Sequence, residues 1–142
     1  MSVKMQRRRR GEANRILIVD DEAGIRNVAK TFLERKHFRV LTAQNGKEAL
    51  ELFAAQPGDI ACVVLDLTMP DMDGFEVLGE MQRIHPGVRV LMSSGFSEQE
   101  FKNRFAGDSV AGYIQKPYRL DAFYTAVQRV MTASPEHPLA AR

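Results

Sequence analysis

Between residues 15 and 131, short apolar runs alternate with stretches whose apolar residues recur at every third or fourth position, and no other feature of the chain restricts its fold so strongly. The run RILIV at 15–19 reads as a strand, and Ile25, Val28, Ala29, Phe32 and Leu33 after it fall on one helix face. FRVLTA (38–43) is a second strand, followed by a helix in KEALELFAA (47–55) that Pro57 and Gly58 end. IACVVL (60–65) is the third strand, and Val77, Leu78 and Met81 mark the next helix. VRVLMS (88–93) is the fourth strand. Ser97 with Glu100 three residues on has the form of a capping box, which predicts a short helix over 98–105 with a narrow apolar face of Phe101 and Phe105. That helix is expected to be the least firmly packed. AGYIQ (111–115) is the fifth strand, and Leu120, Phe123, Val127 and Val130 define a last helix. Parallel strands need crossover connections and helices supply them, so this alternation implies an α/β fold, a mainly parallel sheet covered on both faces. The runs ILIV, CVVL and VLM are apolar at successive positions, as strands buried on both faces are.

A chain of 142 residues accommodates one such domain and not two. No apolar stretch approaches the roughly 18 residues of a membrane span, and no apolar segment follows the N-terminal arginines to form a signal peptide, so a cytoplasmic protein with no membrane partner is expected. Lys4 and Arg7 to Arg10 place five positive charges and no acid in the first ten residues. Residues 11–142 then hold fifteen basic and eighteen acidic groups, a net charge of −3, which argues against a basic nucleic-acid-binding face. The arginine run itself reads as a solvated tail, with an electrostatic arm for a partner as the other reading. The domain is expected over 15–132, with tails at 1–14 and 133–142. Cys62, the one cysteine, lies inside an apolar run and reads as a small buried hydrophobe.

In an open parallel sheet, ligands bind outside the carboxyl ends of the strands where strand order reverses. The residues at those ends are Asp20 and Asp21 after the first strand, Asp66 after the third, Ser93 and Ser94 on the fourth, and Lys116 before Pro117 after the fifth. Singly, these residues suit helix caps and turns. Together they describe a phosphoryl site. Carboxylates about 4 Å apart repel by something like 4 kcal/mol per pair at an effective dielectric near 20, so one protonates or a cation joins them. A hard divalent cation with oxygen ligands answers this, and magnesium suits it. A carboxylate not consumed as a ligand is then free to attack phosphorus and form an acyl phosphate, with Lys116 and the Ser94 hydroxyl supplying charge and a hydrogen bond to phosphoryl oxygens.

The stretches LIVDDE, VVLDLTMPDMDG, LMSSG and GYIQKP, in this order and each at a strand end, resemble those of the receiver domain of two-component response regulators over residues 15–132. The resemblance implies a flavodoxin-like, doubly wound five-stranded parallel sheet of order 2-1-3-4-5 with five helices. It implies that Asp66 is the phosphoacceptor, and that magnesium is held by Asp21, Asp66 and the backbone carbonyl of Thr68, with Asp20 acting through water. Ser94 would be the switch hydroxyl, Tyr113 the switch aromatic and Lys116 the family's lysine, with a cis Lys116–Pro117 peptide. Tyr113 would rotate inward on phosphorylation and change the face made by helix four, strand five and helix five. Ser94 stands where many members have threonine, which keeps the hydroxyl. Thr68 and Phe96 resemble positions that tune phosphate lifetime, and an aromatic Phe96 would hinder attacking water. The expected partner is a sensor histidine kinase or a histidine phosphotransfer protein, and the expected role is that of a signalling phosphoacceptor and not an enzyme.

Two other classes fit less well. A haloacid-dehalogenase-like phosphatase also uses a nucleophilic aspartate with magnesium and lysine, but requires an aspartate two residues later, where this chain has Thr68. A dinucleotide-binding module requires a glycine-rich first turn, which DDEAGI at 20–25 does not provide. The stretches SSGFSEQE and GYIQKPY look like receivers attached to sensor kinases, so either a stand-alone regulator or the receiver of a hybrid kinase is expected.

Overall fold

The computed structural model of the protein describes residues 14–105 and 110–132; the arginine run and the expected C-terminal tail lie outside the described residues. The described elements are β1 (Arg15–Val19), α1 (Ala23–Arg35), β2 (Arg39–Ala43), α2 (Gly46–Ala55), a 3-10 turn at Pro57–Asp59, β3 (Ile60–Asp66), α3 (Gly74–Ile84), β4 (Val90–Ser94), α4 (Glu98–Arg104), β5 (Gly112–Gln115) and α5 (Leu120–Thr132). All pairings are parallel and the strand order is β2-β1-β3-β4-β5, the doubly wound flavodoxin-like arrangement. Among the described residues no helix is long and apolar enough to cross a membrane.

Successive side chains of a strand point to opposite faces, and this sorts the apolar runs into two cores. Leu17, Val19, Val63, Leu65 and Met92 face α2, α3 and α4 and pack with Phe53, Val77, Met81 and Phe101. Ile16, Ile18, Cys62, Val64 and Leu91 face α1 and α5 and pack with Leu33, Phe123, Val127 and Val130. Cys62 is fully buried, and desolvation pushes its thiol up to about 12.

The strand ends differ from the sequence reading where local hydrogen bonds compete. Phe38 does not begin β2, because its N–H returns to Leu33 O while the N–H of His37 bonds Glu34 O, closing α1 in a Schellman motif with His37 at φ 73°. Val88 turns back onto His85 O, so β4 begins at Val90 and runs on to Ser94. β3 extends one residue further than expected and includes Asp66. The helix expected over 98–105 ends at Arg104, with Phe105 as its C-cap and the Ser97–Glu100 capping box formed. Phe101 is its one buried residue, so its apolar face is narrow as expected. It buries fewer residues than any other α-helix among those described, as expected of the least firmly packed one, and its packing is concentrated on Phe101, whose ring centroid lies 6.1, 5.4 and 4.2 Å from those of Phe75, Phe105 and Tyr113.

Candidate functional site

The register of the sheet sets the site. Val19 pairs with Leu65, so the next residues, Asp20 and Asp66, stand level at the carboxyl ends of neighbouring strands. Asp66 pairs in turn with Ser93, and Ser94 with Gln115, which places Lys116 just beyond β5. Backbone bonds continue the ladder past the strands: Asp20 N–H to Ala43 O at 3.1 Å, Leu67 N–H to Ser93 O at 2.8 Å and Lys116 N–H to Ser94 O at 2.7 Å. Asp20 and Asp66 are both 3% exposed, whereas Asp21 is exposed.

Oxygens of Asp20, Asp21 and Asp66 lie within 4.8 Å of one another. The Lys116 ammonium bonds Asp20 Oδ2 at 2.9 Å and reaches Asp66 Oδ2 and Glu22 Oε1 at 3.4 Å. Asp20 is the most engaged of the three carboxylates, with its second oxygen accepting the Glu22 N–H at 2.9 Å. Arg26 Nη1 donates to the Asp20 carbonyl at 2.7 Å and braces the strand end. Asp66 is held more loosely, by the Thr68 N–H at 3.3 Å and by Lys116. Burial and then the neighbouring Asp20 charge push the Asp66 carboxyl up from 3.8 to about 6, against the opposing pull of Lys116. Burial alone would lower the Lys116 ammonium, but its bond to Asp20 and the charges of Asp66 and Asp20 outweigh this and hold it above its ordinary value. The Lys116–Pro117 peptide is cis.

Ser94 and Tyr113 belong to one hydrogen-bonded group. Ser94 Oγ accepts the Phe96 N–H at 3.1 Å and lies 2.6 Å from the Tyr113 hydroxyl, which also contacts the Phe96 carbonyl closely. The Tyr113 ring stacks on Phe101 with planes 14° apart. Tyr113 is half-buried here, held by the ring face of Phe101 and the polar partner Ser94. Phe96 packs beside Phe105 and under the Arg104 guanidinium, 4.7 Å from its ring centroid.

The β3–α3 loop completes the rim. Gly74 N–H bonds Leu67 O at 2.6 Å, and a Cβ at Gly74 would lie 2.8 Å from Leu67 Cα, so only glycine closes this loop. Thr68 is exposed, two residues past Asp66. Asp73 caps α3 in a capping box with Glu76. Beside the site, Ile25, Val28, Pro117, Tyr118 and Leu120 line a mostly apolar groove of about 240 Å³ that reaches Lys116, with Val28 and Leu120 exposed.

The structure thus brings Asp20, Asp21, Asp66 and Lys116 together, with Ser94 and Tyr113 on the adjoining strands and Thr68 in the loop. Sequence reasoning missed Glu22, Arg26 and Asp71. Glu22 adjoins the acidic pair and so was within reach, whereas nothing in the spacing pointed to Arg26 or Asp71. Three hard oxygen donors, two of them buried beside one ammonium, fit a divalent cation such as magnesium.

Residues 16–128 match the family model of the response regulator receiver domain. The chain is 32% identical over 116 residues to the sensor kinase CckA of Brucella abortus, covering 82% of this chain and 12% of that protein. It is 41% identical over 108 residues to the transcriptional regulatory protein SrrA of Staphylococcus aureus, covering 75% of this chain and 43% of that protein. The chain therefore spans less than half the length of either relative. Its fold is similar to that of the response regulator TrrA of Thermotoga maritima, solved in complex with Mg2+–BeF, at a TM-score of 0.72 and 30% identity over 82% of this chain and 98% of that one.

Proposed function

Because the chain belongs to the response regulator receiver family of two-component systems, we propose that it is a phosphoacceptor that takes a phosphoryl group onto Asp66 from the phosphohistidine of a histidine kinase or phosphotransfer protein. The observation that carries this reading is the convergence of three carboxylates within 4.8 Å with an ammonium 3.4 Å from Asp66. An Asp66 oxygen attacks phosphorus, the P–N bond of the phosphohistidine breaks, and the departing imidazole takes up a proton. With its carboxyl at about 6, Asp66 is about nine-tenths ionised at pH 7 and can act as the nucleophile. Asp21, Asp66 and the Thr68 carbonyl would hold magnesium, with Asp20, both of whose oxygens are engaged, acting through water. Bound there, magnesium supplies positive charge to the phosphoryl oxygens. Lys116 supplies a second positive charge and the Ser94 hydroxyl a hydrogen bond.

The donor would dock on the groove lined by Val28 and Leu120, since this apolar surface borders Lys116. The face of α4, β5 and α5 would carry the output, read through Ser94 and Tyr113. Phe96, fixed beside Ser94, would shield the acyl phosphate from water, and Thr68 would tune the same hydrolysis. A turnover phosphatase is disfavoured, as Thr68 offers no carboxyl group two residues after the nucleophile. Intact-protein mass spectrometry after incubation with acetyl phosphate and magnesium should show one added phosphoryl group. It should show none with Asp66→Asn or in the presence of a chelator, and full labelling of Asp66→Asn would refute the assignment.

A further inference from the structure

The loop between β3 and α3 is tied to a helix it does not adjoin in sequence. Asp71 Oδ1 accepts the Gly46 N–H and Oδ2 the Lys47 N–H, both at 3.1 Å. The first turn of a helix leaves its N–H groups without helical partners. In α2, Asp71 takes those of the first two residues and Asn45 Oδ1 takes that of Glu48 at 2.8 Å. The contact is backed by packing. Gly46 is buried, and a Cβ there would lie 2.9 Å from Val77 Cγ2 and 3.1 Å from Met72 Cβ, so the loop sits directly on bare helix backbone. Between Thr68 and Asp73 these are the only hydrogen bonds among the described residues that reach an element other than β3 and α3.

We propose that Asp71 is a positioning residue for the metal site: by clamping the loop to the N-terminus of α2, it fixes the backbone at Thr68, whose carbonyl completes the donor set. The inference rests on the reading of Asp66 and its neighbours as a magnesium site. Thr68 is exposed and among the described residues its own hydrogen bond is that of its N–H to Asp66 Oδ1 at 3.3 Å, so its carbonyl takes its orientation from the ends and the middle of the loop. The Leu67–Gly74 bond fixes the ends. Asp71 fixes the middle, its two carboxylate oxygens accepting two successive N–H groups at once. Groups outside a metal's direct ligands act in this way when they orient those ligands. The clamp is reciprocal, so metal bound at the rim must be felt at the first turn of α2.

The test is a magnesium titration of the full chain followed by backbone amide resonances. Wild type is expected to bind, with Gly46 and Lys47 shifting along with the residues around Asp66. Asp71→Ala is expected to bind about tenfold more weakly, with Gly46 and Lys47 no longer responding. Asp71→Asn, which keeps one acceptor, should fall between them. Asn45→Ala is the control for helix stability, as it removes a cap from the same turn without touching the loop, and it should bind as wild type does. Wild-type affinity in Asp71→Ala, or equal weakening by Asn45→Ala, would overturn the positioning role while leaving the metal site standing. A wild-type chain that gives no magnesium response would overturn both the metal reading and this inference.

Discussion

At the scale of the residue, the proton of Ser94 is the scarce group of the site. A hydroxyl donates once, and the Phe96 carbonyl can only accept. The close contact of the Tyr113 hydroxyl with that carbonyl therefore commits the tyrosine proton to Phe96, and the Ser94 proton is left to Tyr113 at 2.6 Å. To donate to a phosphoryl oxygen on Asp66, as proposed, Ser94 would have to withdraw from Tyr113. Tyr113→Phe removes this competitor and should favour the phosphorylated form by about 1 kcal/mol, the net value of one hydrogen bond. Half-maximal labelling by acetyl phosphate should then occur at roughly fivefold lower donor concentration, and an unchanged midpoint would show that the bond does not restrain Ser94. The identities of Asp66, Ser94 and Lys116 as candidates were legible because each ends a strand whose apolar pattern is plain. The seating of Tyr113 was not, since it depends on a ring, Phe101, contributed by a different element.

At the scale of the element, boundaries were the least legible part of the sequence, and α1 shows why. Its end is decided by two backbone bonds, from His37 and Phe38 to the last turn, that no apolar periodicity encodes. These bonds require His37 in the left-handed region at φ 73°, where a side chain is unfavourable and glycine is not. His37→Gly should therefore stabilise the protein, by about 0.5–1 kcal/mol after allowing for the greater freedom of glycine in the unfolded chain. Urea denaturation would measure this, and phosphate labelling should be unaffected because the turn lies outside the site. The capping boxes of α3 and α4 present the opposite case. Both caps lie within three residues of their partners; that of α4 was read from the sequence alone, and that of α3 carried the same short-range spacing from Asp73 to Glu76. By contrast, the cap that Asp71 gives α2 spans 25 positions. Local patterns reveal local bonds, and this one had no local pattern.

At the scale of the whole molecule, the site is a concentration of buried negative charge that the fold must support. Sheet order was accessible only through the family resemblance, because periodicity identifies strands without saying which are neighbours. With β1 and β3 adjacent, Asp20 and Asp66 are forced together, and burial followed by mutual repulsion raises the Asp66 carboxyl to about 6. The unfolded chain holds this proton less tightly than the folded one. The contribution of Asp66 to stability is thus greatest below about 4, is lost as pH rises through about 6 and stays lost above it. Asp66→Asn should accordingly be more stable than wild type at pH 7 by up to about 3 kcal/mol, with the gap closing towards pH 4. Magnesium should narrow the gap at pH 7 by stabilising wild type alone. Denaturation of both proteins across this range would check the sign, and a gap independent of pH would contradict it. One further consequence lies in the aromatic residues around Lys116. The chain contains no tryptophan, and two of its three tyrosines, Tyr113 and Tyr118, stand three residues before and two residues after this lysine. One is hydrogen bonded to Ser94, and the other is stacked on Phe123 at 5.0 Å beside the acidic rim. Tyrosine emission of the unlabelled protein therefore has two of its three sources at the functional rim, with Tyr124 on α5 as the third and no tryptophan to mask them, so a change in its intensity on adding magnesium or phosphoryl donor is an optical readout of that rim.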